Sequence, residues 1–335
     1  MQRSSWLLAA LLVACGDDGA TTSSETSTGA ETTTSSAAGG AGAAAASGGG
    51  GGAAVGGQGT GGDGSEVNGF PPSWPNGTSC GTEEPVFVWA YADDTYILRQ
   101  SLCTSFEGPF LYLFFGDDKV LLEDTGDGGI PIQETVQAII DEWLVAHGKT
   151  SIELIVMHSH SHGDHVAGDD QFQGQPNTTV VGTSLSAVTS FFGISNWPNE
   201  NVTFDLGNRV LDVIPIPGHQ QTHVALYDRR HQLLLTGDTL YPGRLYISDF
   251  AAYGQSTSRL TAFVEAGNPA TWVLGTHIEM TTTPQQDFEF GADAHPNEHV
   301  LQLTTAELIE LDDAVQAMGG TPQNEPHDDF IIYPL

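Results

Sequence analysis

Positive charge is what this 335-residue chain has least of: nine Lys and Arg stand against 42 Asp and Glu, for a formal net charge of −33. A polyanion would be repelled and no basic stripe exists to hold one, which excludes DNA and RNA as partners and nuclease chemistry with them. Cysteine is nearly absent too. Cys15, Cys80 and Cys103 are the whole supply, and none has a neighbour at zinc-ribbon spacing, so a zinc-ribbon site is excluded. No repeat period of the kind that builds solenoids or propellers is visible. The apolar run near the N-terminus, Trp6 to Ala14, is nine residues long. That is too short to cross roughly 30 Å of hydrocarbon.

That N-terminal run has a different reading. In MQRSSWLLAALLVAC, Arg3 supplies a positive charge, the apolar stretch follows, and Leu12-Val13-Ala14-Cys15 ends it with small residues. The segment resembles a bacterial lipoprotein signal peptide, which implies cleavage before Cys15, lipid on its sulfur and a lipid-anchored place in the cell envelope. Residues 1–15 are thus expected as a leader, and residues 16–68, rich in Gly, Ala, Ser and Thr and free of Lys and Arg, as a disordered tether. Such a tether has a typical span of about 40 Å. With Cys15 consumed, Cys80 and Cys103 remain as an even pair in a chain bound for an oxidising compartment. A disulfide worth about 3 kcal/mol is expected between them, with two buried thiols as the alternative.

Residues 69–335 form the expected folded body, with enough apolar and aromatic content for a substantial core. Short β-rich runs alternate with helical ones. VFVWAYADDTYILRQ and FLYLFFGDDKVLLEDTG read as strands, the second pair turned at Gly116-Asp117-Asp118. PIQETVQAIIDEWLVAHG opens on Pro131, spaces Val136, Ile139, Ile140, Trp143 and Leu144 helically, and stops at Gly148. Further strands are expected at IELIVMH, TTVVGTS, NVTFDLG, RVLDVIPIPGH, HVALYDRRHQLLLTGDTLY and TWVLGTH. Helices are expected at TSRLTAFVEAG and EHVLQLTTAELIELDDAVQAMGG. The fold class is an α/β sandwich.

Four histidines and an aspartate crowd into His158 to His165. Histidine and aspartate together suit a divalent metal of borderline softness, above all zinc. The pattern H-x-H-x-D-H fits in one register, His160, His162, Asp164 and His165, which leaves His158 at the end of a strand or behind the site.

SHSHGDHVAG resembles the S/T-H-x-H-x-D-H-x-x-G signature of the metallo-β-lactamase superfamily. VLLEDTG with Asp124, IPGH with His219, LLLTGDTLY with Asp238 and VLGTH with His277 follow in the family's order. The resemblance implies an αββα sandwich of two mixed sheets flanked by helices. It places one metal on His160, His162 and His219 and the other on Asp164, His165 and His277, with Asp238 bridging two Zn2+ ions, or other divalent metals such as Fe or Mn. Asp124 is expected to orient a ligand histidine, and His223 to stand behind the ligands. The activity implied is hydrolysis of a small lactone, ester or related carbonyl compound by a metal-bridging hydroxide, with Asp164 orienting it and receiving a proton.

Tyr241, three residues beyond Asp238, resembles the phenol that assists lactonases at the oxyanion, or is a packed loop aromatic. Arg244 is the candidate for a substrate carboxylate, with a local ion pair as its alternative, and Tyr246 accompanies it. Phosphodiester or thioester cleavage, or an inert binding lipoprotein, are the competing functions. The absence of late basic residues weakens a glutathione thioester, and Asp238 disfavours β-lactams. His147 is read as a helix C-terminal cap; His231, in a hairpin turn, and His295, His299 and His327 are for the most part expected to be exposed. The oligomeric state is left open.

Overall fold

The computed structural model describes residues 67–335. The expected leader, the lipid site at Cys15 and nearly all of the tether lie outside the described residues.

In chain order, β1 (Val86–Ala92), β2 (Thr95–Gln100), β3 (Phe110–Phe115), β4 (Lys119–Glu123), β5 (Glu153–Met157) and β6 (Thr178–Val180) form one six-stranded sheet, ordered as numbered. The first four strands pair antiparallel, β1–β2 and β3–β4 through short turns and β2–β3 through the loop 101–109. β4, β5 and β6 pair in parallel, which a tight turn cannot connect; helix α1 (Ile132–His147) makes the first crossover. α1 matches its sequence signals, with Gly148 left-handed at its C-terminus. Beyond β5 come the one-turn helix α2 (Gly163–Val166) and helix α3 (Leu185–Phe192).

The second sheet contains β7 (Val202–Asp205), β8 (Val210–Pro215), β9 (Val224–Asp228) and β10 (Leu233–Gly237). After β11 (Arg244–Ile247) and helix α4 (Phe250–Glu265), β12 (Trp272–Gly275) returns parallel to β10, and β13 (Gln302–Leu303) closes that edge. Helix α5 (Thr305–Ala317), β14 (Glu325–Pro326) and β15 (Ile331–Pro334) complete the chain, β11 pairing with β15 in a small third sheet.

Both sheets are apolar on both faces, which is what stacks them between helices. In β3, FLYLFF is buried throughout. Phe110, Tyr112 and Phe114 pack toward the other sheet with Leu211, Val213, Leu226 and Leu235. Leu111, Leu113 and Phe115 pack under α1 against Val136, Ile140 and Trp143. On the far side, Leu234 and Val273 meet Leu260 of α4 and Leu308 and Leu311 of α5. The architecture is the expected αββα sandwich.

Several sequence expectations shift: α3 was not expected, and α4 begins at Phe250, ahead of the TSRLTAFVEAG run. The last helix starts only at Thr305, because Thr304 and Glu307 form a reciprocal capping box, and Gln302–Leu303 ahead of it is a strand. The third sheet was not expected from the sequence. A disulfide links Cys80 and Cys103, Cα atoms 5.4 Å apart. The expected membrane-lipid partner through Cys15 is withdrawn: the sulfur chemistry among the described residues is the Cys80–Cys103 cross-link. No described helix is long and apolar enough to cross a membrane.

Candidate metal centre

Five strands end at the same rim of the sandwich, and each hands a functional side chain to the loop that follows. β4 delivers Asp124, β5 the histidine stretch, β8 His219, β10 Asp238 and β12 His277. Carboxyl ends of strands in α/β folds expose loops over a rigid base, which is why sites form there. Glycines make the approach possible at two of them. Gly218 has φ +147° and a Cβ there would fall 2.4 Å from the Tyr253 Cα; at Gly237, φ +49°, it would fall 2.4 Å from the His223 Nε2.

The seven expected ligand positions converge in two groups that share Asp238. One is His160, His162, His219 and Asp238; the other is Asp164, His165, Asp238 and His277; within each, candidate ligand atoms lie within 4.8 Å of one another. In the first, His162 Nδ1 is 3.0 Å from His160 Nε2 and 2.9 Å from His219 Nε2, and Asp238 Oδ2 is 3.7 and 3.5 Å from those two nitrogens. In the second, Asp164 Oδ2 is 3.1 Å from His165 Nε2 and 3.2 Å from His277 Nε2, with Asp238 oxygens at 3.5 and 3.3 Å. Donors held at about 2.0–2.1 Å around a tetrahedral ion lie about 3.3–3.4 Å from each other, so the spacing fits zinc. His165 Nε2 supplies an independent sign: it is buried without a hydrogen bond and faces this cluster. The residues therefore fit two metal ions.

Hydrogen bonds on the opposite ring nitrogens aim the imidazoles. His219 Nδ1 donates to the Tyr246 carbonyl at 2.7 Å, His277 Nδ1 to the Glu107 carbonyl at 2.9 Å, and His165 Nδ1 to Asp124 at 2.8 Å. Each leaves Nε2 free toward the cluster. Asp124, wholly buried and at φ 70°, also accepts the Ser159 amide and hydroxyl, and Ser159 Oγ lies 3.1 Å from His160 Nδ1. One carboxylate thus braces a histidine of each group. Thr276 hydrogen-bonds Asp238.

Burial keeps His160, His162 and His219 below the usual histidine range, hence neutral and able to ligate. It would do the same to His165 and His277, but there the carboxylates of Asp164 and Asp238 outweigh it and hold both well above that range. Asp164 and Asp238 are in turn held low, the neighbouring imidazoles overcoming burial. The acidic group draws in positive charge.

His158 stands apart, its Nε2 2.8 Å from Asp169. His223 is buried with its ring 4.7 Å from that of His160, and its Nε2 has no hydrogen bond. Tyr241 turns its hydroxyl to the Arg244 carbonyl and, at 3.3 Å, to Glu279, while its ring packs 5.5 Å from His277. Arg244 bonds Asp287 at 2.9 Å and lies 3.4 Å from Glu279, so the local ion pair holds it. Tyr246 lines the cavity beside Glu107, Glu279 and Phe290; that cavity measures about 270 Å³.

His147 does hydrogen-bond the last turn of α1, at the Trp143 carbonyl. The expected exposure of other histidines is corrected: His231 and His295 are buried, the first bonded to Asp94 at 2.8 Å and the second stacked on Phe288, and His299 and His327 are half-buried against Asp329 and Glu310. Glu107, Glu279 and Phe290 were missed, since they belong to no metal-ligand pattern; Ser159 was within sight as the first residue of SHSHGDHVAG.

The sequence matches the family description "Metallo-beta-lactamase superfamily" over residues 106–319. Among curated relatives, a hydroxyacylglutathione hydrolase of Ectopseudomonas mendocina is 33% identical over 131 residues, 36% of this chain and 46% of that protein. One from Rhizobium meliloti is 30% identical over 138 residues, 39% of this chain and 53% of the relative. The chain spans about half the length of these curated relatives. A solved metallo-beta-lactamase from Pontibacter korlensis is 19% identical, with a TM-score of 0.47, covering 69% of this chain and 99% of that one. By the span of the family match, the chain belongs to the metallo-beta-lactamase superfamily.

Proposed function

We propose that this chain is a dinuclear zinc hydrolase acting on a lactone, ester or related carbonyl compound. The observation that carries the reading is the pair of ligand groups sharing Asp238 at the floor of a solvent-open cavity. When bound, two zinc ions would lower the pKa of a shared water and polarise a carbonyl oxygen. His160, His162 and His219 would hold one ion and Asp164, His165 and His277 the other. Asp164, on the cavity wall, orients the attacking water and takes its proton. Asp124 and Ser159 keep the His160 and His165 rings in register, and Tyr241 positions His277 by packing against it.

Thioester cleavage is the second reading, since hydroxyacylglutathione hydrolases and an acyl-coenzyme A thioesterase of Gallus gallus are among the similar proteins. Glutathione and coenzyme A are anionic, and the cavity wall holds Glu107 and Glu279 but no Lys or Arg. The disulfide supports a location in an oxidising compartment outside the cytosol. Zinc-loaded protein offered a panel of lactones, aryl esters, thioesters, β-lactams and bis(p-nitrophenyl) phosphate tests the reading. Chelator-sensitive turnover led by lactones or esters is expected. Exclusive turnover of the phosphodiester would replace it.

A further inference from the structure

Around the ligand side chains the cavity wall is acidic and its lip is aromatic. Neither property is needed to hold metal. Of the two extra acids, Glu279 is occupied, accepting the Arg244 amide at 2.8 Å and lying 3.4 Å from its guanidinium. Glu107 differs. Its backbone carbonyl holds His277, and no hydrogen bond or ion pair among the described residues reaches its carboxyl group on the cavity wall; burial, with the nearby carboxylates of Asp164, Glu279 and Asp238, pushes its pKa up to about 7 against the pull of His277, so it carries its full charge above neutral pH. Arg244 cannot answer an incoming anion without leaving Asp287, Glu279 and the Phe288 carbonyl.

Phe290, from the loop after β12, lines the cavity, and Phe106, next to Glu107, packs against its ring. Their rings are 5.5 Å apart and edge to face, yet Phe106 is 39% and Phe290 71% exposed. Aromatic rings left in water contribute little to folding, and exposed apolar surface at a cavity mouth is a contact surface for something else. Their π-faces attract cations, and they equally suit an alkyl stem. The −33 charge of the chain draws cations toward the molecule and repels anions.

We propose that the cavity takes carbonyl substrates bearing an ammonium group on an apolar stem, with Glu107 as counter-charge and the Phe106–Phe290 pair as the apolar contact, and that it discriminates against carboxylate- or phosphate-bearing substrates. The inference rests on the hydrolase reading above. In the reaction the acyl–oxygen bond breaks, the acyl carbon gains the oxygen of water, and the leaving alcohol takes a proton; the ammonium is a recognition element and does not react.

Three p-nitrophenyl hexanoates separate the possibilities, their chains ending in trimethylammonium, the uncharged isostere tert-butyl, or carboxylate. For the zinc-loaded wild type, kcat/KM should fall in that order, with about tenfold or more between the first and last, a difference of the size steering and one unscreened charge can supply. Glu107→Gln should collapse the trimethylammonium-to-tert-butyl ratio toward one, and Phe290→Ala should weaken both of those esters. Zinc content measured alongside separates loss of the counter-charge from loss of the metal site. Calorimetric binding of hexyltrimethylammonium gives a readout without turnover, expected about tenfold weaker in Glu107→Gln. A carboxylate ester used as well as the ammonium ester, or a ratio indifferent to Glu107→Gln, overturns the inference and leaves the hydrolase reading standing. Glu107-dependent binding of hexyltrimethylammonium with no ester turned over does the reverse.

Discussion

Among the individual residues, His160 and His158 make a sharp pair because they are two apart, both buried, and differ in what they face. His160 points into the first ligand group, whereas His158 is bonded to Asp169. His160→Ala should lower zinc from two to about one per chain, while His158→Ala should leave it unchanged; elemental analysis reads both. Glu123 is a different case: fully buried, with neither carboxylate oxygen bonded. Burial first, and then the charge of Asp124, pushes its pKa well above the usual 4.5, with His165 opposing. The folded state therefore binds this proton more tightly than the unfolded chain. Its stabilising contribution is complete below 4.5 and is lost as pH rises toward the folded pKa. In zinc-free protein, Glu123→Gln should raise Tm by at least about 3 °C at pH 8 and by nothing at pH 4. The ligands were legible in the sequence because each sits in a short motif at a strand end. The burial of His231 and His295 was not, since it depends on Asp94 far along the chain and on a loop folding back to stack Phe288.

Between elements, the two sheets are joined by more than apolar packing. Arg209, in the turn before β8, is buried and reaches across to the first sheet. It donates to the Asp94 carbonyl at 2.7 Å, the Phe115 carbonyl at 3.1 Å and the Thr95 hydroxyl at 2.7 Å, and it grips Asp228 at 2.7 and 3.1 Å. Asp94 also receives Arg230 and His231, which outweigh its burial and hold its pKa low. Removing one partner of such a buried network strands the others. Arg209→Met should cost about 3–5 kcal/mol in denaturant unfolding, although it touches no metal ligand. The strand series was readable from its short continuous β-rich apolar runs, but this clamp was not, because its members come from separate hairpins. The third sheet escaped for a similar reason: RLYI and IIYP are short and pair with partners distant in sequence.

For the molecule as a whole, the N-terminal part of the folded body is tied down by the Cys80–Cys103 bridge, which closes a loop with a sequence separation of 23. A Cys80→Ser, Cys103→Ser double variant should lose about 3 kcal/mol of stability and keep its zinc, since neither cysteine belongs to a ligand group. That separation of scaffold from site recurs throughout: sheets and helices supply a rigid rim, and the loops after five strands supply the chemistry. That rim is built to hold two cations through one shared aspartate. Zinc titrated into chelator-stripped wild type and Asp238→Ala puts this to the test. Two equivalents bound tightly by the wild type, with at least one site weakened severely in the variant, is the result predicted. No tight binding by the wild type, or identical isotherms for the two proteins, would contradict it.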